Sequence, residues 1–262
     1  MSQTITKGII ASPGIRIGKA FVYQGNKIII PKYMLRDSEI EAELQRYERA
    51  FQKTKKEIQS IQTQIASNLS KEMSDIFTSH LMVLEDPKVD EQARRKIREE
   101  KRNIEWIIND ISIDLINSLS KIKDDYIRER IIDLSDISKR LIANLQKTHT
   151  TTLSDINEEV IVFAPDLTPS ETALMNKTLI LAFVTDKGGK TSHTSIMARA
   201  LEIPAIVGTI NTTSLVKNGD TVIVDAIHGK IIIDPTEAEI KEFRKAQKDF
   251  NKLEVELSKL TN

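Results

Sequence analysis

Two glycines, four hydroxyl residues and one histidine lie within eight consecutive positions in the second half of the chain. The stretch reads Gly188-Gly189-Lys190-Thr191-Ser192-His193-Thr194-Ser195. The apolar run 179–184 precedes it and is typical of a strand that is buried on both faces. Apolar residues at helical spacing follow it until Pro204, which cannot continue a helix. The pattern therefore predicts a strand, a glycine loop and a helix, with His193 at the opening of the helix.

This arrangement favours binding of an anion. Gly188 and Gly189 let backbone N–H groups turn toward a ligand, and the first turn of a helix offers free donors and the positive end of its dipole. The hydroxyls of Thr191 and Ser192 can donate to phosphoryl oxygens. A neutral His193 could then accept a phosphoryl group through one ring nitrogen, provided that an acceptor holds the other. The same residues also fit an ordinary loop with a helix cap, so spacing alone leaves both interpretations open.

The composition excludes several classes of function. The 262 residues suffice for two modest domains, and the 38 Lys and Arg residues balance the 38 Asp and Glu residues. Such a balance argues against nucleic acid as the main partner. Cysteine is absent, and no spacing of His, Asp and Glu predicts a metal site. No apolar run has membrane-spanning length and no signal pattern opens the chain, so we expect no membrane partner and a cytoplasmic location.

The coarse pattern changes twice along the chain. Residues 1–31 are rich in β-branched and aromatic types, including Ile28-Ile29-Ile30, and are predicted to be extended. From Ser38, whose spacing to Glu41 predicts a capping box, apolar residues recur every three or four positions through several helices. After residue 150, strands are predicted at 160–163, 179–184, 205–207, 221–224 and 230–233, with short helices at about 169–175 and 194–202. A last helix is predicted after Asp234, which is assigned as its cap.

These patterns predict a mixed fold, α+β or α/β, in which a helical bundle is inserted into an α/β domain. The predicted boundaries place 1–31 and 150–233 in the α/β domain. The bundle takes 32–149, and 234–262 forms a C-terminal linker helix.

The motif around His193 closely resembles the phosphohistidine signature of phosphoenolpyruvate-utilising enzymes. Its flanks, 166–172 and 201–209, and the opening 8–15 are similar to enzyme I of the bacterial phosphoenolpyruvate:sugar phosphotransferase system, a sugar-transport phosphorelay. This resemblance covers essentially the whole chain. It implies a swivelling β/β/α phosphohistidine domain that carries an inserted docking domain for the phosphocarrier HPr. It also implies a further half, absent from this chain, that binds phosphoenolpyruvate, carries magnesium and dimerises.

The resemblance assigns chemistry to particular residues of an N-terminal phosphotransfer fragment that is monomeric and has no cofactor of its own. His193 carries the phosphoryl group, on Nε2, and passes it to a histidine of HPr. Thr172 matches the family threonine whose hydroxyl contacts the active histidine, although a threonine on a helix face is an equal alternative. The loop residues Gly188, Gly189, Thr191 and Ser192 are assigned to loop geometry and phosphate contact.

The resemblance also places a docking surface for HPr on the bundle. The matching positions are Glu72, Met82, Val83, Asp86 and Arg130. Acidic and exposed apolar side chains would suit a partner with a basic rim around an apolar patch. Helical periodicity equally allows Met82 in the bundle core, and Met73 and Pro87-Lys88 depart from the family pattern.

Two other functions remain open at this point. One is the swivelling domain of a pyruvate phosphate dikinase-like enzyme, against which the missing ATP-grasp region and the helical insertion both speak. The other is a non-catalytic helical interaction module, in which 38–147 is the functional part and His193 is incidental.

Overall fold

The computed structural model describes residues 2–5, 8–25, 28–68, 71–122, 124–147 and 153–260. The contacts divide the chain into two compact units. The α/β unit consists of Met1–Gly25, Thr152–Leu167 and Leu174–Asn262, and the helical unit consists of Asn26–Thr151 and Thr168–Ala173. The predicted boundary between residues 149 and 150 lies outside the described residues.

The strands of the α/β unit form one sheet. In the described part of the chain they are β1 (Gln3–Ile5), β2 (Ile9–Ser12), β3 (Ile15–Val22), β4 (Val160–Ala164), β5 (Ile180–Thr185), β6 (Ala205–Val207), β7 (Thr221–Asp225) and β8 (Lys230–Ile233). Their order is β1-β8-β7-β3-β4-β5-β6-β2. The pairs β3–β4, β4–β5 and β5–β6 are parallel, and the pairs on either side are antiparallel.

The parallel centre of the sheet explains the apolar runs of the sequence. Every residue of β4 is buried, and β5 is buried at all positions but one. Strands covered on both faces need apolar side chains on both, which gives runs in place of alternation. Two helices belong to the same unit, α7 (His193–Leu201) and α8 (Glu237–Leu260), and the ends of β5 and α7 enclose the glycine loop.

The helical unit contains five longer helices and one short one in its described residues. They are α1 (Ile40–Asn68), α2 (Lys71–Leu84), α3 (Pro87–Glu100), α4 (Ile104–Leu119), α5 (Asp125–Gln146) and α6 (Pro169–Ala173). The joint between α2 and α3 follows from local chemistry, because Asp86 accepts a hydrogen bond from the Lys88 backbone N–H and Pro87 occupies the first helical position. Ile58, Phe77 and Ile107 are fully buried. The prediction of a mixed fold with an inserted set of helices is confirmed.

An ion-pair network lies inside the helical unit. Arg46 on α1 contacts Glu43 at 2.7 Å and Glu105 on α4 at 2.6 Å, and its Nη1 also donates to the Leu145 carbonyl of α5. Burial alone lowers the pKa of the Arg46 guanidinium, but hydrogen bonds to Glu105 and Glu43 raise the pKa above its ordinary value. Burial alone raises the pKa of the Glu105 carboxyl, but hydrogen bonds from Arg46 and Asn103 hold that pKa below its ordinary value. The network therefore ties three helices together through charge-assisted hydrogen bonds.

Three local predictions from the sequence are wrong. Residues 28–30 form no strand, and the Ile29 carbonyl accepts a hydrogen bond from the Gln146 side chain at 2.7 Å. The capping box predicted for Ser38 and Glu41 lies two positions earlier, because the Glu39 carboxylate accepts from the Arg36 backbone N–H. The last helix begins at Glu237 in place of a cap at Asp234, with Thr236 and Glu239 forming its capping box. In both boxes the acid that reaches its partner three residues back decides the start of the helix.

Candidate active site

The predicted strand–loop–helix unit is present around His193. β5 ends at Thr185, and α7 begins at His193. Ser192 has an extended backbone and is the N-cap of α7, since its Oγ accepts a hydrogen bond from the Ser195 backbone N–H at 3.3 Å. His193 is therefore the first residue of the helix, where unpaired backbone donors and the positive end of the dipole meet.

The hydroxyls of the motif are engaged with the loop itself. Ser192 Oγ and Ser195 Oγ both donate to the Gly189 carbonyl, at 2.8 Å and 2.7 Å. The role predicted for the Ser192 hydroxyl, contact with phosphate, therefore competes with its bond to Gly189. Thr191 is exposed. The two serine hydroxyls therefore stabilise the loop by bonding to its own backbone. The exposed Thr191 is the motif hydroxyl that is most accessible to a ligand.

Two glycines of the site have conformations that other residues rarely adopt. Gly188 has φ +115° and Gly208, which follows β6, has φ +70°. A Cβ on Gly208 would lie 3.0 Å from the Gly188 carbonyl oxygen, and a Cβ on Gly188 would lie 3.1 Å from Val207 Cβ. The two backbones therefore approach each other closely enough that a side chain on either would force them apart.

We expect Gly188→Ala to destabilise the α/β unit by about 1–3 kcal/mol, because alanine would be held at a positive φ and pressed against Val207. Gly189→Ala is the matched control, since a Cβ at Gly189 meets no described atom within 4 Å, and its effect should stay within about 0.5 kcal/mol. Urea unfolding followed by circular dichroism measures both. Equal losses in the two variants would contradict this account of the loop.

Side chains outside the motif, to which no sequence pattern pointed, also hold the glycine loop in place. Asp186 accepts from the Thr213 backbone N–H at 3.2 Å and from the hydroxyls of Thr209 and Thr213, and Thr185 Oγ1 donates to the Lys187 carbonyl at 2.6 Å. An aspartate directly after a buried strand is the signal that could have drawn attention to Asp186. Its threonine partners are more than twenty residues away and have no local signature.

His193 is buried, with 8% of the residue exposed. Its neighbour Thr194 is also buried, and Thr194 Oγ1 donates to the Leu167 carbonyl at 3.0 Å. Arg199, on the same helix, donates to the carbonyls of Ala11 and Lys190 at 3.3 Å and 3.4 Å, so it pairs with backbone and not with a neighbouring acid. These contacts fix α7 within its unit and with it the backbone of His193.

Thr172 lies on α6, which the contacts group with the helical unit. It is fully buried, and its Oγ1 donates to the Thr168 carbonyl at 2.9 Å. The hydroxyl proton is thus used within α6, while the oxygen can still accept a hydrogen bond. The start of α6 is a capping box as predicted, with Thr168 N–H donating to Glu171 and Glu171 N–H donating to Thr168 Oγ1.

The predicted docking residues differ in their surroundings. Met82 is 72% exposed, which excludes the alternative of a core position. Val83 is half-buried, and Asp86 caps α3. Arg130 Nη1 lies 3.5 Å from Asp133 Oδ2 on the same helix. The side chain of Glu72 lies outside the described part of the structure.

Another histidine of the α/β unit forms a pair with a carboxylate. His228 is in a turn and its side chain is 73% exposed, while its Nδ1 lies 2.7 Å from Asp225 Oδ2. Among the described residues no group of three His, Cys, Asp or Glu side chains could hold a metal ion. Nor does any helix in the described ranges combine the length and the apolar character that crossing a membrane requires.

Comparisons with known proteins match both units. Residues 7–130 match the family "PEP-utilising enzyme, N-terminal", and residues 156–229 match "PEP-utilising enzyme, mobile domain". A phosphoenolpyruvate-protein phosphotransferase of Haemophilus influenzae is 42% identical over 253 residues, which are 97% of this chain and 44% of that protein. One of the same name from Bacillus subtilis is 39% identical over 256 residues, 98% of this chain and 45% of that protein. The chain thus spans less than half the length of these relatives.

Solved structures agree with this assignment. A solution structure of "Enzyme I (nEIt)" is similar with a TM-score of 0.77 and 40% identity, covering 94% of this chain and 100% of the other. A structure named "N-terminal domain of Enzyme 1 - Nitrogen", with a TM-score of 0.62 and 21% identity, supports the fold alone. The order of the two matched regions and the sequence around His193 fit the same assignment. The chain belongs to the enzyme I family of phosphoenolpyruvate-protein phosphotransferases and corresponds to the N-terminal part of its members.

Proposed function

We propose that this chain is the part of a phosphoenolpyruvate-protein phosphotransferase that carries the phosphoryl group, and that His193 is the carrier. In the complete protein the group comes from phosphoenolpyruvate, and His193 passes it to the active-site histidine of HPr. The single observation that carries the proposal is the place of His193 as first residue of α7, directly behind a glycine loop. The magnesium dependence of the complete enzyme, its dimeric state, the monomeric state of this chain and a cytoplasmic location belong to the same proposal.

The chemistry is an exchange of one phosphorus–nitrogen bond for another. The lone pair of His193 Nε2 attacks phosphorus, the bond from phosphorus to the donor nitrogen of HPr breaks, and the donor imidazole keeps the electron pair. The reverse direction uses the same steps, because both partners are imidazoles. The backbone N–H groups of the first turn of α7 and the glycine loop would stabilise the charge on the equatorial oxygens. In this account Gly188, Gly189, Thr191 and Ser192 shape the loop and contact phosphate.

The exposure of His193 sets a condition on this reaction. With His193 only 8% exposed, little of the residue is accessible to a protein donor that needs an in-line path to the imidazole. We therefore expect transfer to occur from a conformation in which more of the imidazole is exposed. Thr172 keeps its proposed role as a catalytic residue through its oxygen, which can accept a hydrogen bond from an imidazole N–H.

The HPr-docking surface is proposed to lie on the helical unit, with Glu72, Met82, Val83, Asp86 and Arg130 as its residues. Its support is the exposure of Met82 beside the acidic residues Glu85 and Asp86, since a large exposed side chain among charges is typical of a docking anchor. Asp86 also caps α3, so a change there would alter the helix as well as the surface.

We expect Met82→Ala to weaken binding of HPr by about 1–2 kcal/mol, roughly a five- to thirtyfold rise in the dissociation constant, because an anchor loses its apolar contact area. Ile113→Ala is the matched control, since Ile113 is an exposed apolar residue on α4 at 47% exposure. Titration calorimetry with unphosphorylated HPr measures both. A dissociation constant that rises equally in the two variants would remove Met82 from the docking surface.

The decisive experiment uses HPr carrying a radioactive phosphoryl group. Incubated with this chain, it should lose label to the chain, and the label should be acid-labile and base-stable, as a phosphohistidine is. Peptide mapping should place it within 190–199. A chain that takes up no label, or takes it up elsewhere, would refute the proposal. Such a result would favour a non-catalytic helical module. The dikinase-like alternative is not favoured, since the high-coverage relatives are phosphoenolpyruvate-protein phosphotransferases.

A further inference from the structure

Three ionisable side chains form a buried cluster inside the helical unit, which we name the His80 cluster. His80 lies on α2, and Asp133 and Asp136 lie on α5; their exposed fractions are 1%, 3% and 6%. His80 Nε2 lies 3.0 Å from Asp133 Oδ1, and His80 Nδ1 lies 3.9 Å from Asp136 Oδ2. Apolar side chains of the same volume often serve stability equally well at such places, so stability alone does not account for the cluster.

On one side, the His80 cluster contacts Arg130, a residue of the proposed docking surface. The second oxygen of Asp133 lies 3.5 Å from Arg130 Nη1, one turn earlier on α5. On α2, His80 stands two residues before the exposed Met82. The ring of Phe77, fully buried one turn earlier, lies 5.2 Å from the His80 ring and limits its freedom to rotate. The imidazole is therefore fixed between the helices that carry Met82 and Arg130.

The other side of the cluster leads to Thr172. Asp136 Oδ2 accepts a hydrogen bond from the Ser170 backbone N–H at 3.3 Å, and Ser170 is the second residue of α6. Ser170 and Thr172 are 2% and 0% exposed. A helix of five residues is too short to be stable alone, so its place depends on packing and on anchors of this kind. Among the described contacts, Asp136 is therefore a side chain of α5 that holds the backbone of α6.

We propose that His80, Asp133 and Asp136 are positioning residues for phosphoryl transfer, because they connect the docking helices α2 and α5 to the segment that carries Thr172. The inference rests on the proposed function. Asp136 anchors α6 through the Ser170 N–H, while His80 and Asp133 fix α2 against α5. None of the three touches the phosphoryl group. Loss of the Asp136 anchor should therefore lower the rate of transfer within the complex with HPr and leave the affinity for HPr unchanged.

The test is transfer from phosphorylated HPr to this chain, followed by rapid quench at increasing HPr concentration. Asp136→Ala should lower the maximal rate by about tenfold or more, because displacement of a positioning segment slows transfer steeply, with the half-saturating HPr concentration unchanged. Asp136→Asn keeps an oxygen that can accept from Ser170 N–H and should restore most of the rate. The matched control is Asp110→Ala. Asp110 lies on α4 and forms an ion pair with Arg102, so this variant also loses a paired aspartate of the helical unit and should transfer at the unaltered rate.

A second measurement reports on the anchor without the reaction. Amide hydrogen exchange at Ser170, followed by NMR, should become faster in Asp136→Ala and stay slow in Asp136→Asn. An unaltered maximal rate in Asp136→Ala would overturn the proposal, as would Asn and Ala variants that are equally slow. A changed half-saturating concentration would assign Asp136 to docking and also overturn it. If the unaltered chain accepts no phosphoryl group at all, the proposed function itself fails, which is a different result from a defect confined to the variants.

Discussion

His193→Ala is expected to accept no phosphoryl group from phosphorylated HPr, a loss of the whole signal, while the protein stays folded. No other described group combines an imidazole with a glycine loop at the first residue of a helix. Alanine has no lone pair to attack phosphorus, so no residual route through this position remains. Retained label is the measurement, and amide spectra confirm that the variant is folded.

His228→Ala is a demanding control for this result. The carboxylate of Asp225 holds His228 Nδ1 at 2.7 Å and leaves the other nitrogen facing solvent, so His228 is an oriented imidazole without a phosphate loop. If the place of the imidazole beside the glycine loop determines which histidine accepts the phosphoryl group, His228→Ala should accept as much label as the unaltered chain. Label that disappears in the His228 variant and persists in the His193 variant would reverse the assignment of the carrier.

Arg46→Ala is expected to destabilise the helical unit by about 3–5 kcal/mol. The substitution leaves the carboxylates of Glu43 and Glu105, 6% and 3% exposed, buried without their shared cation. It also removes the Nη1 donor of the Leu145 carbonyl on α5. Urea unfolding followed by the fluorescence of Trp106 isolates this unit, because Trp106 is the one tryptophan of the sequence and lies on α4.

The matched control for Arg46 is Arg95→Ala. Arg95 and Glu99 form an exposed pair at 3.9 Å, four residues apart on α3. Exposed pairs of this kind contribute little, so the free energy of unfolding should change by less than about 0.5 kcal/mol. Similar losses in the two arginine variants would mean that burial of the carboxylates is not what makes Arg46 important.

Most helix and strand boundaries were predictable because they depend on local chemistry. Asp86-Pro87 separates α2 from α3 through a cap and a first-turn proline, and Pro204 excludes continuation of the helix before it. β5 was predictable because residues 179–184 include no polar residue, as expected for a strand that is buried on both faces. At the site, the hydroxyls, glycines and histidine lie within one short stretch, so the loop and the N-terminal place of His193 could be predicted together.

The incorrect and missing predictions share a different cause. They concern places where contacts between residues far apart in the sequence outweigh local propensity. Ile28-Ile29-Ile30 has strand propensity, yet no strand pairs with it in the described structure, and Gln146 takes up the Ile29 carbonyl. Likewise the support of the loop by Asp186 and the joining of His80 to Asp133 depend on residues twenty or more positions away. Periodicity specifies which face of an element is apolar, but it does not specify which polar side chains will meet across the core.

The order of the strands also bears on how such a protein could be recombined. β3 and β4 are parallel neighbours, and β4 and β5 are as well, so each pair requires a crossover connection and a tight turn cannot join them. Residues 26–151 lie in the crossover from β3 to β4, and residues 168–173 lie in the crossover from β4 to β5. Both segments belong to the helical unit. A chimera that exchanges only the longer insert between relatives would leave α6 and Thr172 from the recipient facing helices from the donor. Exchange of the helical unit must therefore transplant two separate pieces of chain in one step.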